Sequence, residues 1–300
     1  MKRIAVLGPE GTYSDIACKE YLKSIDEKYE IVYYPSILKV AKAIDDNTIA
    51  ILPFENTLDG FVVESMDYII LNDYYVTSQL KLNIDFAFVT NAKSIENVKG
   101  CYVQFKAYGQ CLDFISKYNF EIITTQSNIE SLYKLKESDD TFGAIIPMHA
   151  LDEGFNTVLT HIADSKHNET RFFIVQNKKE EAYNQNDLES SICIETHVDR
   201  PGILFDILKK FHELDLNLNS IMSRPMKTEM GKYRFYIEIS LNNDNLYKLD
   251  DLVNKFSSHS EFVIKVLGIY NRCRWFLWEL LTLLWKKETA RSLMNLKLIF

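Results

Sequence analysis

Short apolar runs alternate with helical stretches from the start of the chain. Arg3–Leu7 reads as a buried strand, Ser14–Ser24 as a helix, and Glu30–Tyr34 as a strand. Ile37–Ile44 has helical spacing, and Ile49–Leu52 is again a strand. This rhythm predicts a parallel-rich sheet covered by helices. Tyr75–Gln79 and Asn83–Thr90 follow as strands with no helix between them. From Asn97 the alternation resumes: strand Cys101–Val103, helix Gly109–Tyr118, strand Glu121–Thr125, helix Asn128–Lys136 and strand Gly143–Ile146. Two α/β lobes with a cleft between them are the expected packing. A further strand, FFIV, begins at Phe172.

Residues Asn177–Asp187 (NKKEEAYNQND) are polar and nearly free of aliphatics, which reads as a linker. A new pattern follows. Ser191–His197 is a strand, Gly202–Leu214 a helix, and Leu218–Ser223 and Tyr233–Leu241 are strands. Leu246–Phe256 is a helix and Phe262–Ile269 a strand. This βαββαβ order is the α+β ferredoxin-like unit. The expected divisions are 1–178, 188–270 and a tail, 271–300. All three tryptophans lie in that tail, around WFLWELLTLLW. The run is shorter than the roughly twenty residues of a membrane span. It is apolar nearly all round, which implies burial, a partner or an atypical end. It receives no chemistry.

Composition narrows the classes. Three hundred residues with 47% hydrophobic content suit two domains with real cores. A net charge of −8 argues against a nucleic-acid footprint, so any anion must be recognised locally. The five cysteines have no C-x-x-C spacing and the six histidines form no ligand pair, so free thiols and no metal site are expected. The opening apolar run is a strand's length, too short for a signal peptide, and a reducing cytoplasm is the default.

Four segments could carry chemistry. GPEGTYSDIA (Gly8–Ala17) follows the first strand. Its glycines allow close backbone approach to an anion; the competing reading is a tight turn with Thr12 or Ser14 as helix cap. PFENTLDG sets Glu55, Asn56 and Thr57 at a strand end, where open α/β sheets place ligands. Glu55 could instead make a structural bond, and Thr57 could cap a helix starting near Gly60. VQFKAYGQC contains Gln110 and Cys111; the cysteine fits core filling better than chemistry. NETRF (Asn168–Phe172) opens the FFIV strand. Alternation puts Thr170 and Phe172 on one face and Arg171 on the other. A guanidinium is a fixed fork for a carboxylate, and a hydroxyl can donate to a departing oxygen.

In this order, and with DRPGILFDIL (Asp199–Leu208) and MSRP (Met222–Pro225) downstream, these segments resemble prephenate dehydratase from about Lys2 to Tyr270. The resemblance implies a two-lobed fold like that of periplasmic binding proteins, followed by an ACT domain. It implies that prephenate loses carbon dioxide and its ring hydroxyl to give phenylpyruvate. Aromatisation drives the reaction, so no metal or organic cofactor is required. Thr170 becomes the catalytic residue. Arg171 becomes the carboxylate anchor, and Glu55, Asn56, Thr57, Gln110 and Phe172 become binding residues. L-Phenylalanine is the implied effector, bound by Gly202, Ile203, Leu204, Phe205, Ser223, Arg224 and Pro225, with ACT units paired in a homodimer or homotetramer. The chain departs from the family at Val103, Gln104 and Phe105, where Ser-His-Pro is usual, and at Met222, where glutamate is usual. Arogenate as substrate, or a catalytically silent amino-acid sensor, are the competing functions. A fused chorismate mutase is not expected, because the chain opens directly on its first strand.

Overall fold

The computed structural model describes residues 1–180, 186–226 and 232–272. The tryptophan-rich tail, Cys273 and part of the linker lie outside the described residues.

The first lobe contains β1 (Arg3–Leu7), α1 (Tyr13–Lys23), β2 (Glu30–Tyr34), α2 (Ile37–Lys42), β3 (Thr48–Asn56), β4 (Gly60–Phe61), α3 (Val63–Leu71) and β5 (Tyr75–Asn83). The second contains β6 (Phe86–Thr90), β7 (Gly100–Gln104), α4 (Phe105–Gln110), α5 (Leu112–Ile115), β8 (Glu121–Thr125), α6 (Asn128–Lys136), β9 (Phe142–Pro147) and β10 (Thr157–Thr160). The chain then returns to the first lobe as β11 (Glu169–Gln176). The first sheet runs β2-β1-β3-β11-β5, with β4 paired to β3; the second runs β10-β6-β9-β7-β8. The strands β1, β2 and β3 are parallel, whereas β11 is antiparallel to both neighbours.

Both faces of the first sheet are covered, so its strands are apolar almost throughout. Side chains alternate between two cores. Ile4, Val6, Phe172 and Ile174 join the core that reaches the cleft, while Ala5, Phe173 and Val175 join the core on the opposite face.

The last unit has β12 (Leu188–Thr196), α7 (Ile203–Glu213), β13 (Leu218–Pro225), β14 (Tyr233–Leu241), α8 (Tyr247–Ser257) and β15 (Phe262–Asn271). Its antiparallel sheet is ordered β13-β14-β12-β15. One face is covered by α7 and α8. The other is sealed by the first lobe: Cys193, Tyr236, Leu267 and Tyr270 share a core with Phe54, Phe173 and Val76. At this seam a Cβ on Gly268 would stand 2.0 Å from the Val76 carbonyl oxygen, so only glycine lets β15 approach β5.

The architecture agrees with the sequence pattern; the main local difference is the helix expected over Gly109–Tyr118. It is two short helices broken at Cys111. The first starts early because the Gln104 side chain accepts the Lys106 and Ala107 N–H groups at 2.8 and 3.3 Å. The second is started by Asp164, whose carboxylate accepts the Leu112 and Asp113 N–H groups at 2.9 and 3.0 Å. A partner 51 residues away could not be read from local spacing.

Candidate active site

A β-bulge builds the site. Thr170 pairs with Asn56 and Arg171 with Glu55, but Phe172 pairs with Pro53, so Phe54 is the extra residue of β3. Up to Phe54, even-numbered residues of β3 face away from the cleft: Ala50, Leu52 and Phe54 belong to the opposite core. The bulge reverses the alternation. Glu55 joins Phe54 on the far face, and Asn56 turns to the cleft face beside Thr170.

The Asn56 side-chain oxygen accepts the Leu58 and Asp59 N–H groups at 2.9 and 3.0 Å. That fixes the amide, and its nitrogen must point the other way. The nitrogen donates to Asn168 Oδ1 at 2.8 Å, to the Glu169 carbonyl at 3.0 Å and to Thr170 Oγ1 at 3.0 Å. Two hydrogens serve three acceptors. Asn168 Nδ2 donates in turn to Gln110 Oε1 at 2.8 Å, and Gln110 Nε2 donates to Asp59 Oδ2 at 3.2 Å. Every amide in this chain therefore has a defined orientation. Gln110 belongs to the second lobe, so the chain crosses the cleft.

The Thr170 hydroxyl accepts from Asn56. Among the described residues no acceptor takes its own proton. An oxygen already accepting a hydrogen bond is a better donor, because the bonds polarise one another. The arrangement can deliver one hydrogen bond to an oxygen in the cleft.

The lobes meet around this network. Gly11, at φ +83°, has its carbonyl bonded to the His149 ring at 2.8 Å, and Ile129 lies close enough to crowd any Cβ at that position. The Tyr13 hydroxyl donates to the Asp85 carbonyl, and its ring stands edge-on to His149. Burial holds the His149 pKa below its ordinary value despite its bond to Gly11. In the GPEG segment, Thr12 is the α1 cap, its Oγ1 accepting the Asp15 N–H at 3.4 Å. Burial pushes the Cys18 thiol up to about 12; Cys111 is likewise buried and raised, which leaves both inert.

Other expected site residues lie elsewhere. Arg171, expected to anchor a substrate carboxylate, stands apart from the Thr170 network. Its guanidinium is on the face opposite Thr170, 2.8 Å from Glu55, 2.7 Å from Glu238 and 3.8 Å from Glu189. It lies beside the stacked Phe54 and Phe173 rings, 5.3 and 5.2 Å from their centroids. Burial opposes its charge, yet Glu238 together with Tyr236 and Tyr270 holds its pKa above the usual arginine value. Glu55, bonded to Arg171, shares that face. A cavity of about 150 Å³ opens there between the first lobe and the last unit, lined by Glu55, Lys81, Arg171, Glu189 and Glu238 among others. Thr57 neither caps a helix nor turns to the cleft network: its hydroxyl donates to the His167 carbonyl at 2.7 Å and accepts the Glu169 N–H at 2.9 Å. It ties β3 to the start of β11. Phe172 is core, 1% exposed.

Of the expected effector residues, Gly202 has φ +85° and precedes α7, while Leu204 and Phe205 are 38% and 67% exposed. Ser223, Arg224 and Pro225 end the edge strand β13. Arg224 reaches the first lobe, bonding Asp67 at 3.1 Å, and Met222 packs into the core between the units.

Sequence reasoning missed Asn168 and Asp59. Asn168 is fully buried and joins the two walls. Its signal was present, a polar residue directly before a strand in the NETRF run, but nothing local says that its partners lie 58 and 112 residues away.

Residues 4–180 match the family model described as prephenate dehydratase. The chain is 32% identical over 265 residues to a prephenate dehydratase of Methanocaldococcus jannaschii, covering 87% of this chain and 95% of that protein. The fold is similar to the prephenate dehydratase crystal structure from Staphylococcus aureus, with a TM-score of 0.74 and 28% identity over 90% of this chain and 100% of the other. It is also similar to the Arthrobacter aurescens prephenate dehydratase in complex with L-Phe, with a TM-score of 0.77 and 22% identity over 90% of each chain.

Proposed function

The chain belongs to the prephenate dehydratase family, and from that premise we propose how its cleft performs the decarboxylating dehydration of prephenate to phenylpyruvate. The bond to the ring carboxylate breaks and releases carbon dioxide. Its electron pair enters the ring, and the bond to the ring hydroxyl breaks on the other side. The leaving oxygen gains negative charge and departs as water once protonated. Thr170 hydrogen-bonds that oxygen. Threonine is a weak acid, but it need only donate as charge develops.

The observation that carries this reading is the Asn56–Thr170 bond at 3.0 Å, in a network that leaves the threonine proton free for a ligand. Asn56 orients the hydroxyl, Asn168 orients Asn56, and Gln110 closes the network from the opposite lobe. With Arg171 on the other face, the carboxylates need another cation. Lys106 stands beside this network, 3.6 Å from Asp59 and more than half exposed, and we assign it to the substrate.

The L-Phe complex of the Arthrobacter relative supports L-phenylalanine as effector here; we assign its site to the α7 start and the β13 edge. The exposed Phe205 and the β13 edge, unpaired among the described residues, suit a paired copy of this unit. Among the described residues no helix is long and apolar enough to cross a membrane. Cytoplasmic residence is the reading that fits its four described cysteines, all free and buried.

The test is direct. Purified protein is incubated with prephenate and with arogenate, each with and without L-phenylalanine, while phenylpyruvate and phenylalanine are followed. Prephenate turnover is expected, slowed by L-phenylalanine. Thr170→Val keeps shape and strand propensity but removes the donor, and should lower kcat by about 10²–10³-fold with KM nearly unchanged. Turnover of arogenate alone would change the substrate. Near-normal kcat in Thr170→Val would remove Thr170 from the mechanism.

A further inference from the structure

The residue after Thr170 is neutralised from another domain. Glu238, on β14 of the ACT unit, is 2% exposed, and its Oε2 lies 2.7 Å from Arg171 Nη2. The carboxylate is held in a closed set of bonds. Ser220 donates to the same oxygen at 2.9 Å, and the Tyr236 and Tyr270 hydroxyls stand 3.0 and 3.3 Å from the other. Ser191 joins the two tyrosines. Arg171 also packs beside the stacked rings of Phe54 and Phe173. Buried on β11 and bonded to Glu238, it ties that strand to β14, and Phe54, whose ring it contacts, is the bulge residue that turns Asn56 towards the cleft.

We propose that Glu238 is a positioning residue for the dehydratase reaction: through its buried ion pair with Arg171 it holds β11 and the Phe54 bulge in the register that sets Thr170 against Asn56. The same pair links the ACT unit to the site, because any shift of β14 relative to β11 must break or stretch it. The proposal deepens the reading given above and rests on it. It explains why a cation adjoining the catalytic threonine faces away from the substrate. It also makes a polar residue of the ACT sheet part of the catalytic architecture without touching the ligand.

The test uses the full chain, the double variant Arg171→Met with Glu238→Leu, and Glu238→Gln. A buried ion pair replaced by apolar residues of similar size usually folds as well or better, so the double variant should melt at or above the wild-type temperature. Its kcat on prephenate should nevertheless fall by about 10–100-fold with little change in KM, the cost of a small displacement of the reacting groups. The link is read by calorimetric titration of L-phenylalanine with and without saturating phenylpyruvate, the product. In wild type the product should weaken effector binding by about 5–150-fold. In the double variant and in Glu238→Gln the two affinities should agree within about twofold. A purely structural pair predicts the opposite, a stable double variant with normal kcat and normal linkage, and that result overturns the proposal. Should the double variant fail to fold, Glu238→Gln decides by the same two readouts. Absence of linkage in wild type refutes the coupling. Linkage without any prephenate turnover in wild type would instead sink the functional reading and leave the coupling standing.

Discussion

Arg171→Met separates a structural arginine from a substrate-binding one. The side chain is 7% exposed and packs beside two stacked aromatic rings, and methionine is apolar and long enough to keep that contact. The loss is therefore electrostatic. Three carboxylates lose their shared cation: Glu238 and Glu189, whose side chains are 3% and 9% exposed, and Glu55, 36% exposed. At an effective dielectric of about 20 the attraction across the 2.7 Å contact to Glu238 is roughly 6 kcal/mol, most of it offset in the native protein by desolvation of both partners. Glu55 is partly solvated and adds little. Removing one partner of a buried pair leaves the other charged and buried, which costs about 3–5 kcal/mol. Against a total stability of about 5–15 kcal/mol that is a third or more. Urea unfolding at pH 7, followed by far-ultraviolet circular dichroism, should show the midpoint falling sharply. Adding Glu238→Leu should recover the loss and return the midpoint to the wild-type value or above. An unchanged midpoint accompanied by a raised KM for prephenate would refute this reasoning and return Arg171 to the substrate.

Two further predictions probe the cleft. Asn168→Asp places a carboxylate oxygen against Gln110 Oε1, now 2.8 Å from a donor. Gln110 can relieve this by flipping, but its oxygen then faces Asp59, so the clash moves along the network. The variant should lose at least about 2 kcal/mol and much of its kcat, and Asp59→Asn in the same chain should restore a donor and recover part of both, seen by urea midpoints and initial rates. Equal defects in the single and double variants would contradict the assigned amide orientations. The second concerns pH. The folded pKa of His149 lies below its ordinary 6.5, so the unfolded chain takes up a proton first as pH falls. His149 therefore contributes stability that is fully present above about 6.5 and is lost as pH drops through the window beneath it. Melting temperatures of wild type and His149→Gln, measured from pH 7.5 to 5, should converge or cross as pH falls; parallel curves would show that His149 stays uncoupled from folding.

The alternation of apolar and polar positions determined the layered α/β lobes and the βαββαβ unit, because side-chain period and helix spacing are local properties of the chain. It also separated Thr170 from Arg171, since neighbours on a strand must face opposite ways, and it marked Asn56 and Gln110 as polar residues at element ends. What local spacing could not carry was the partner of each group. Arg171 next to Thr170 reads as an anion fork until Glu238, 67 residues on, is seen to pair with it. Asn56 stands on the wrong face by parity and reaches the cleft only because β11 skips Phe54 in pairing with β3. Bulges and buried ion pairs arise where separately encoded strands meet, so their geometry belongs to the packing of those strands and exists only once the chain has folded.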